Sequence, residues 1–469
     1  MQNFLDGAYK FFQTINSYLA DYILLILLLG VGVFFTIKTK FVQVRCFKEG
    51  LNTLFQKDGA KKQGVSTFQA FTTAVASQVG TGNIVGVSGA ILLGGPGAVF
   101  WMWVIAFFGM ATAYSEAVLA QKTRIKTQNG YEGGPVYYIK KAFSGGFGKF
   151  LAVFFSVACM VAIGFIGGMV QSNSIGETVT NATGIAWQYI AIVITVLLFL
   201  ILIGGVKRIA SVTEKLVPIM AIFYILGSLV ILAFNIVSLP EALFLIFKYA
   251  FMPQAIIGGG VGIALKTALS QGAKRGLFSN EAGMGTTPHA HALVDAENPH
   301  KQGTVAIFSV FLDTFVVLTI TALVVISSLY TKGGAISGGI VPTGVGKTNL
   351  VSTAITSTFG GGNTASKISA YFIAICLTFF AFSTIVGWNL FGRINFEYLF
   401  GKKAVVVYFI ISLAFVFLGF MLKSDLVWEI TDFFNYLMVI PNVLALFKLN
   451  KMVVAEVKEN GPKNKKLYR

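Results

Sequence analysis

Charge is what this sequence has least of. Only 12% of its 469 residues are Asp, Glu, Lys or Arg, about half the fraction usual in a soluble domain. That poverty excludes an ordinary soluble fold, and a 55% hydrophobic content points to a polytopic membrane protein. Cysteine is almost absent: Cys46, Cys159 and Cys376 lie far apart with no CxxC pair, so neither a disulfide framework nor a zinc site is indicated. Histidine is as scarce, and His289-Ala290-His291 has no carboxylate or thiol beside it in sequence, so it reads as polar surface rather than a metal site. No HExxH or GxSxG occurs, and no nucleophile–base pair stands out. Gly344-Val345-Gly346-Lys347-Thr348 imitates the end of a phosphate-binding loop, but Val341 stands where the first glycine is required and no strand precedes it. Gly80 to Gly86 misses the dinucleotide spacing by one residue. The N-terminus lacks a basic segment followed by a small-residue cleavage site, so no cleaved signal peptide is expected.

What is abundant is glycine, 51 residues, and phenylalanine, 44. Residues 1–20 are amphipathic and suit an interfacial helix. Apolar spans follow at about 22–37, 67–93, 98–121, 150–172, 186–204, 216–236, 242–262, 305–329, 367–390, 404–421 and 427–447, about eleven in all. With the N-terminus outside, roughly 30 of the 36 Lys and Arg fall on one side, in 38–66, 122–149, 205–215, 266–304, 391–403 and the tail. The positive-inside rule makes that side, and the C-terminus, cytoplasmic. The same distribution accounts for most of the net charge of +17 without nucleic acid.

One apolar span is interrupted by Ser77-Gln78-Val79-Gly80-Thr81-Gly82-Asn83. Two glycines allow the helix to open, and Thr81 and Asn83 bring polar groups to the opening. Freed backbone groups at membrane depth are tolerated only against protein or a polar cavity. Close helix packing also uses glycine pairs, so the residues alone leave both readings open. A second glycine-rich stretch, Ile257 to Gly262, is expected to break a helix five spans later. An odd separation inverts the second break relative to the first, the pattern of an inverted repeat with a midplane site. The expected organisation is a leading segment with an extra helix and basic loop (1–66), five-helix halves at 67–236 and 237–448, and a basic tail (449–469).

Gln78-Val79-Gly80-Thr81-Gly82-Asn83-Ile84, Asn280-Glu281-Ala282-Gly283-Met284-Gly285 and Phe382-Ser383-Thr384-Ile385-Val386-Gly387-Trp388 together resemble the signatures of the alanine or glycine:cation symporter family. The resemblance covers about residues 15–450. It implies an all-α membrane fold like that of the leucine transporters, ten core helices in a five-plus-five inverted repeat after one extra helix. It implies sodium-coupled symport of alanine or glycine across the cell membrane, with no cofactor. Carried over by motif, the substrate would meet Thr81, Gly82, Asn83, Phe165, Gln171, Gly258, Gly259, Gly260 and Trp388. The sodium ion would meet carbonyls of Ala76, Val79 and Phe380 and hydroxyls of Ser383 and Thr384.

Each residue also has a plainer reading. Phe165 and Trp388 suit simple packing, Gln171 an interhelical bond, and Ser383-Thr384 bonds back to the helix. Asp313 is a hydrogen-bond hub or a proton-linked group, and Glu116 and Lys248 sit nearer interfaces. Proton coupling or a passive channel remains the alternative function. A channel would show charge rings or repeated filters, and here the breaks occur once per half.

Overall fold

In the computed structural model, which describes residues 2–56, 64–127, 130–252, 261–296, 298–422 and 424–461, the chain is almost entirely helical. Leu5–Lys38 is one continuous helix. The interfacial segment and first span expected separately are therefore one element, joined through a π-helical stretch at Leu19–Leu24. The reason is pairing of the polar face. Asn16 donates to Glu429 Oε2 at 2.7 Å, and Asp21 lies 3.1 Å from Lys266 and hydrogen-bonds Ser270. That face packs on protein rather than lying at a lipid surface.

Among the described residues, eight helices are long and apolar enough to cross a membrane, and a bent pair, Thr67–Gln78 with Thr81–Gly94, makes a ninth. The straight ones after the first are Gly97–Thr123, Gly145–Thr183, Gly205–Phe234, Pro299–Leu329, Gly362–Phe400, Lys402–Gly419 and Asp425–Lys448. Two further spans of the expected set differ. Trp187–Ile203 is apolar but only 17 residues long, about 25 Å at 1.5 Å per residue. The other is divided between Leu239–Phe251 and Val261–Asn280. The only sheet among the described residues is a hairpin of Ile125–Thr127 with Gly130–Glu132.

Helix Gly97–Thr123 runs through the middle and packs on Val261–Asn280 and Pro299–Leu329. The turn before it needs Gly97, because a Cβ there would lie 2.2 Å from the Tyr249 backbone. Two further long helices carry a π-helical stretch, Met160–Ile166 and Leu312–Leu318. Such stretches are common at functional positions.

Val261–Asn280 changes the reading of the charges. The sequence placed 266–304 on one side, yet Lys274 and Arg275 line a cavity with Tyr9, Lys347 and Asp425, all from the side expected to be poor in basic residues. The helix carries Lys266, Lys274 and Arg275 on a polar face that meets Asp21 and Asp432. Averaged along the chain, such a helix looks like a loop.

Candidate functional site

The first half of the bent pair starts with a capping box. Ser66 Oγ accepts from the Gln69 amide and Gln69 Oε1 accepts from the Ser66 amide, both at 3.0 Å, which satisfies two end-of-helix donors. The helix stops at Gln78, Val79 is extended, and Thr81–Asn83 forms a single 3₁₀ turn before the second half. The halves meet at 55°. Asn83 stabilises the opening locally, its Oδ1 accepting from the Gly80 amide at 3.0 Å.

Thr384, on Gly362–Phe400, faces this opening. Its Oγ1 lies 2.9 Å from the Ala76 carbonyl, 3.4 Å from that of Val79 and 3.0 Å from that of Phe380. A hydroxyl has one proton to donate, so three carbonyls around it form an oxygen-rich cluster with more acceptors than donors. Ser383 Oγ donates to the Phe380 carbonyl at 2.9 Å and also approaches Met220 Sδ at 3.2 Å. All five residues are fully buried.

On its other side the opening faces a second one. Gly258, Gly259 and Gly260 lie outside the described residues. Among the described residues, the interruption that meets the first is formed by 281–287, between the end of Val261–Asn280 and the short helix Pro288–Ala292. There Glu281, Gly283 and Gly285 have φ of 57°, 93° and 81°, left-handed values that glycine adopts without strain. Ser77 Oγ donates to Glu281 Oε2 at 3.1 Å, and Gln78 Nε2 donates to the Asn280 carbonyl at 2.7 Å. Asp313 ties the openings together, accepting from Asn83 Nδ2 at 2.7 Å and from Ser279 Oγ at 2.9 Å. Its neighbour Thr314 donates to Oδ2 at 2.9 Å. Of its two expected roles, the geometry displays the hydrogen-bond hub. Glu116 belongs to the same assembly: it accepts from Asn442 Nδ2 at 2.6 Å and the Gly283 amide at 3.3 Å.

Gln171 and Trp388 are both drawn into this region. Gln171 Oε1 accepts from the Thr81 amide at 3.2 Å, and Trp388 Nε1 donates to Glu281 Oε1 at 2.5 Å. Phe165 is not. Its ring packs on Tyr408 and Phe415, 5.6 and 5.3 Å between centroids, in an aromatic cluster apart from the main core. Among the described residues, Thr81 Oγ1, Gln171 Nε2 and Gln78 Oε1 are buried at the opening with no hydrogen-bond partner in the protein. Unpaired buried polar atoms are costly, and here they converge.

Ser77, Gln78, Ser279 and Glu281 were not foreseen as site residues. A signal existed: Gly283-Met284-Gly285 repeats the glycine spacing of Gly80-Thr81-Gly82. The apolar stretch at 257–262 drew the reading away from it.

Two cavities lie among these helices, and one of them reaches the second half of the bent pair. One, of about 540 Å³, is lined by Val85, Gly86, Arg275, Lys347, Trp428 and Asp432. Arg275 pairs with Asp432 and Lys347 with Asp425, both at 2.8 Å. Trp428, Phe278 and Trp388 follow in a row, with centroid separations of 4.9 and 5.9 Å, leading to Glu281. The other, of about 450 Å³, lies among Tyr131, Glu132, Lys207, Arg393, Glu397 and Lys402, in loops expected on the basic-rich side.

Residues 5–468 match the sodium:alanine symporter family profile. The chain is 40% identical over 450 residues to the sodium/alanine symporter AgcS of Methanococcus maripaludis, covering 95% of this chain and 96% of that one. It is 40% identical over 461 residues to YrbD of Bacillus subtilis, described as a putative sodium/proton-dependent alanine carrier, covering 96% and 92%. It is 38% identical over 448 residues to GlnT of the same organism, a probable sodium/glutamine symporter, covering 95% and 89%. Among solved structures, MhsT in complex with L-phenylalanine aligns over 86% of this chain and 98% of that one, with TM-score 0.59 and 16% identity. At that identity the likeness concerns the fold, which is leucine-transporter-like. The protein is a multi-pass membrane transporter and not an enzyme, and it belongs to the sodium:alanine symporter family.

Proposed function

We propose that the protein is a sodium-coupled importer of small neutral amino acids, alanine and glycine, working by alternating access between two five-helix halves at 67–236 and 237–448. The N-terminus is then outside the cell membrane and the C-terminus cytoplasmic. The observation that carries the reading is the Thr384 hydroxyl surrounded by the carbonyls of Ala76, Val79 and Phe380. A hard cation such as sodium suits that oxygen cluster, and a neutral cage holds the ion weakly enough to release it each cycle. Sodium is cargo here, and no cofactor is invoked.

The amino acid sits at the Thr81–Asn83 turn. Its carboxylate takes the amides of the second half-helix, where the dipole favours an anion. Its ammonium takes acceptors near Gln78 and Gln171. Phe278 and Ser279 lie 3.2 Å from where a Cβ on Gly82 would be, and Trp388 closes the wall, so the side chain accommodated is small. The carboxylates Glu281 and Asp313 motivate the second reading, proton coupling, since both are buried at the openings.

Uptake of labelled alanine into proteoliposomes tests all three features. Sodium-driven accumulation against a gradient is expected, inhibited by glycine and not by glutamine or leucine. Accumulation driven by a pH gradient without sodium would replace the first reading with the second. Equilibration without accumulation would indicate a channel.

A further inference from the structure

Away from the paired openings, three residues of different chemistry converge. Cys46, Glu49 and His300 each offer one ligand atom, all within 4.8 Å of one another. Cys46 caps the short helix Phe47–Phe55 and Glu49 lies in its first turn, three positions on. His300 opens helix Pro299–Leu329. Cys46 is fully buried, and the side chains of His300 and Glu49 are 1% and 37% exposed. His300 Nε2 is 3.3 Å from Glu49 Oε2. Its other ring nitrogen, Nδ1, is 2.6 Å from the Tyr114 hydroxyl. That contact fixes the ring and turns Nε2 toward Glu49, as a hydrogen bond to the far ring nitrogen does for a metal-bound imidazole.

We propose that Cys46, Glu49 and His300 bind a borderline-soft divalent cation of the zinc class, with Tyr114 as the positioning residue. Thiolate, imidazole and carboxylate are the three ligand types zinc prefers, and the exposed side of Glu49 leaves a fourth position for water. Binding replaces the Cys46 thiol proton, which is released to solvent. The charges then cancel: one from the thiolate, one from the carboxylate, two from the ion. A neutral assembly suits a buried setting better than a bare cation does. Zinc–ligand bonds of about 2.0–2.3 Å put tetrahedral ligands about 3.5 Å apart, and the half-exposed Glu49 side chain supplies the movement needed. The framework is already close-packed, since a Cβ on Gly50 would lie 2.3 Å from the Thr304 carbonyl. Arg45 precedes Cys46 in the chain and its guanidinium opposes a cation; a thiolate retains lone pairs for both. The ion would staple helix Phe47–Phe55 to the helix that carries Asp313.

The test uses full-length protein without a polyhistidine tag, stripped with chelator and titrated with Zn²⁺ by calorimetry and with Co²⁺ by absorbance. One ion per chain and a thiolate-to-cobalt charge-transfer band are expected. Cys46→Ser should lose the band and His300→Gln the stoichiometric binding, while Cys376→Ser keeps both. Tyr114→Phe should weaken affinity about tenfold without abolishing it. Should Cys46→Ser or His300→Gln fail by size exclusion, Glu49→Gln at the partly exposed position takes their place and should weaken affinity. The proposal is overturned if the unaltered protein binds no stoichiometric ion. A band that persists in Cys46→Ser, a band lost equally in Cys376→Ser, or unaltered affinity in Glu49→Gln overturns it as well.

Discussion

Gly80→Ala tests the oxygen cluster through a contact rather than through a ligand. Gly80 has φ −139°, outside the left-handed region that favours glycine, so the first obstacle to a side chain there is space. The obstacle is Thr384: a Cβ on Gly80 would lie 2.4 Å from its Oγ1 and 3.2 Å from its Cβ. Ordinary contact needs about 3.4 Å, so the hydroxyl must retreat by about 1 Å, more than a hydrogen bond tolerates. Its contacts with the Ala76 and Val79 carbonyls, at 2.9 and 3.4 Å, are then lost. A polar group facing a charge is worth about 1.5–3 kcal/mol, or roughly 10- to 150-fold in affinity. Thr384→Ala removes the same hydroxyl and should raise the sodium concentration for half-maximal uptake by that factor. Gly80→Ala should do likewise. The double variant should be no worse than Gly80→Ala alone, because one group cannot be lost twice. The assay is alanine uptake in proteoliposomes at graded sodium, with thermal stability measured in parallel. Wild-type sodium dependence in Gly80→Ala, or penalties that add in the double variant, would refute the reasoning.

Three further outcomes are expected. Asp432→Asn leaves Arg275 inside the vestibule without its carboxylate and should cost about 3–5 kcal/mol; Arg275→Gln with Asp432→Asn should recover part of it, as melting temperatures in detergent will show. Trp388→Phe keeps the ring against Phe278 but removes the donor to Glu281, so alanine affinity should fall about tenfold, at about 1.4 kcal/mol for one lost hydrogen bond, while selectivity against leucine is unchanged; altered selectivity with unaltered affinity would contradict this. Ser66→Ala removes the capping box and should destabilise by about 1 kcal/mol without changing apparent sodium affinity, measured by melting and uptake.

Much of the architecture was legible because membrane burial writes itself into composition. Scarce charge and repeated apolar runs implied a helical bundle, since a backbone in lipid must satisfy its own hydrogen bonds. The Gly80-Thr81-Gly82 stretch was legible as a place where a helix can open, although close helix packing uses the same glycines. The second break was not. Val261–Asn280 turns Lys266, Lys274 and Arg275 toward Asp21 and Asp432, and an average over sequence cannot register that each cation has a partner. Lys274 and Arg275 therefore read as loop charges of the basic-rich side, although they line a cavity with Tyr9, Lys347 and Asp425.

The sequence by itself determined that the chain crosses the membrane as helices, where glycines permit a helix to open, and which hydroxyls stand one turn after Phe380. Those are local properties, set by hydropathy, glycine freedom and residue spacing. Only the tertiary structure decided that Gly283 and Gly285 supply the opposing break, and that Asp313 joins both openings through Asn83 and Ser279. It alone turned Trp388 toward Glu281 and Phe165 away to Tyr408. A side chain's position along a helix is written in the sequence; which neighbour it faces depends on the rotation of that helix against the others, and packing sets that rotation.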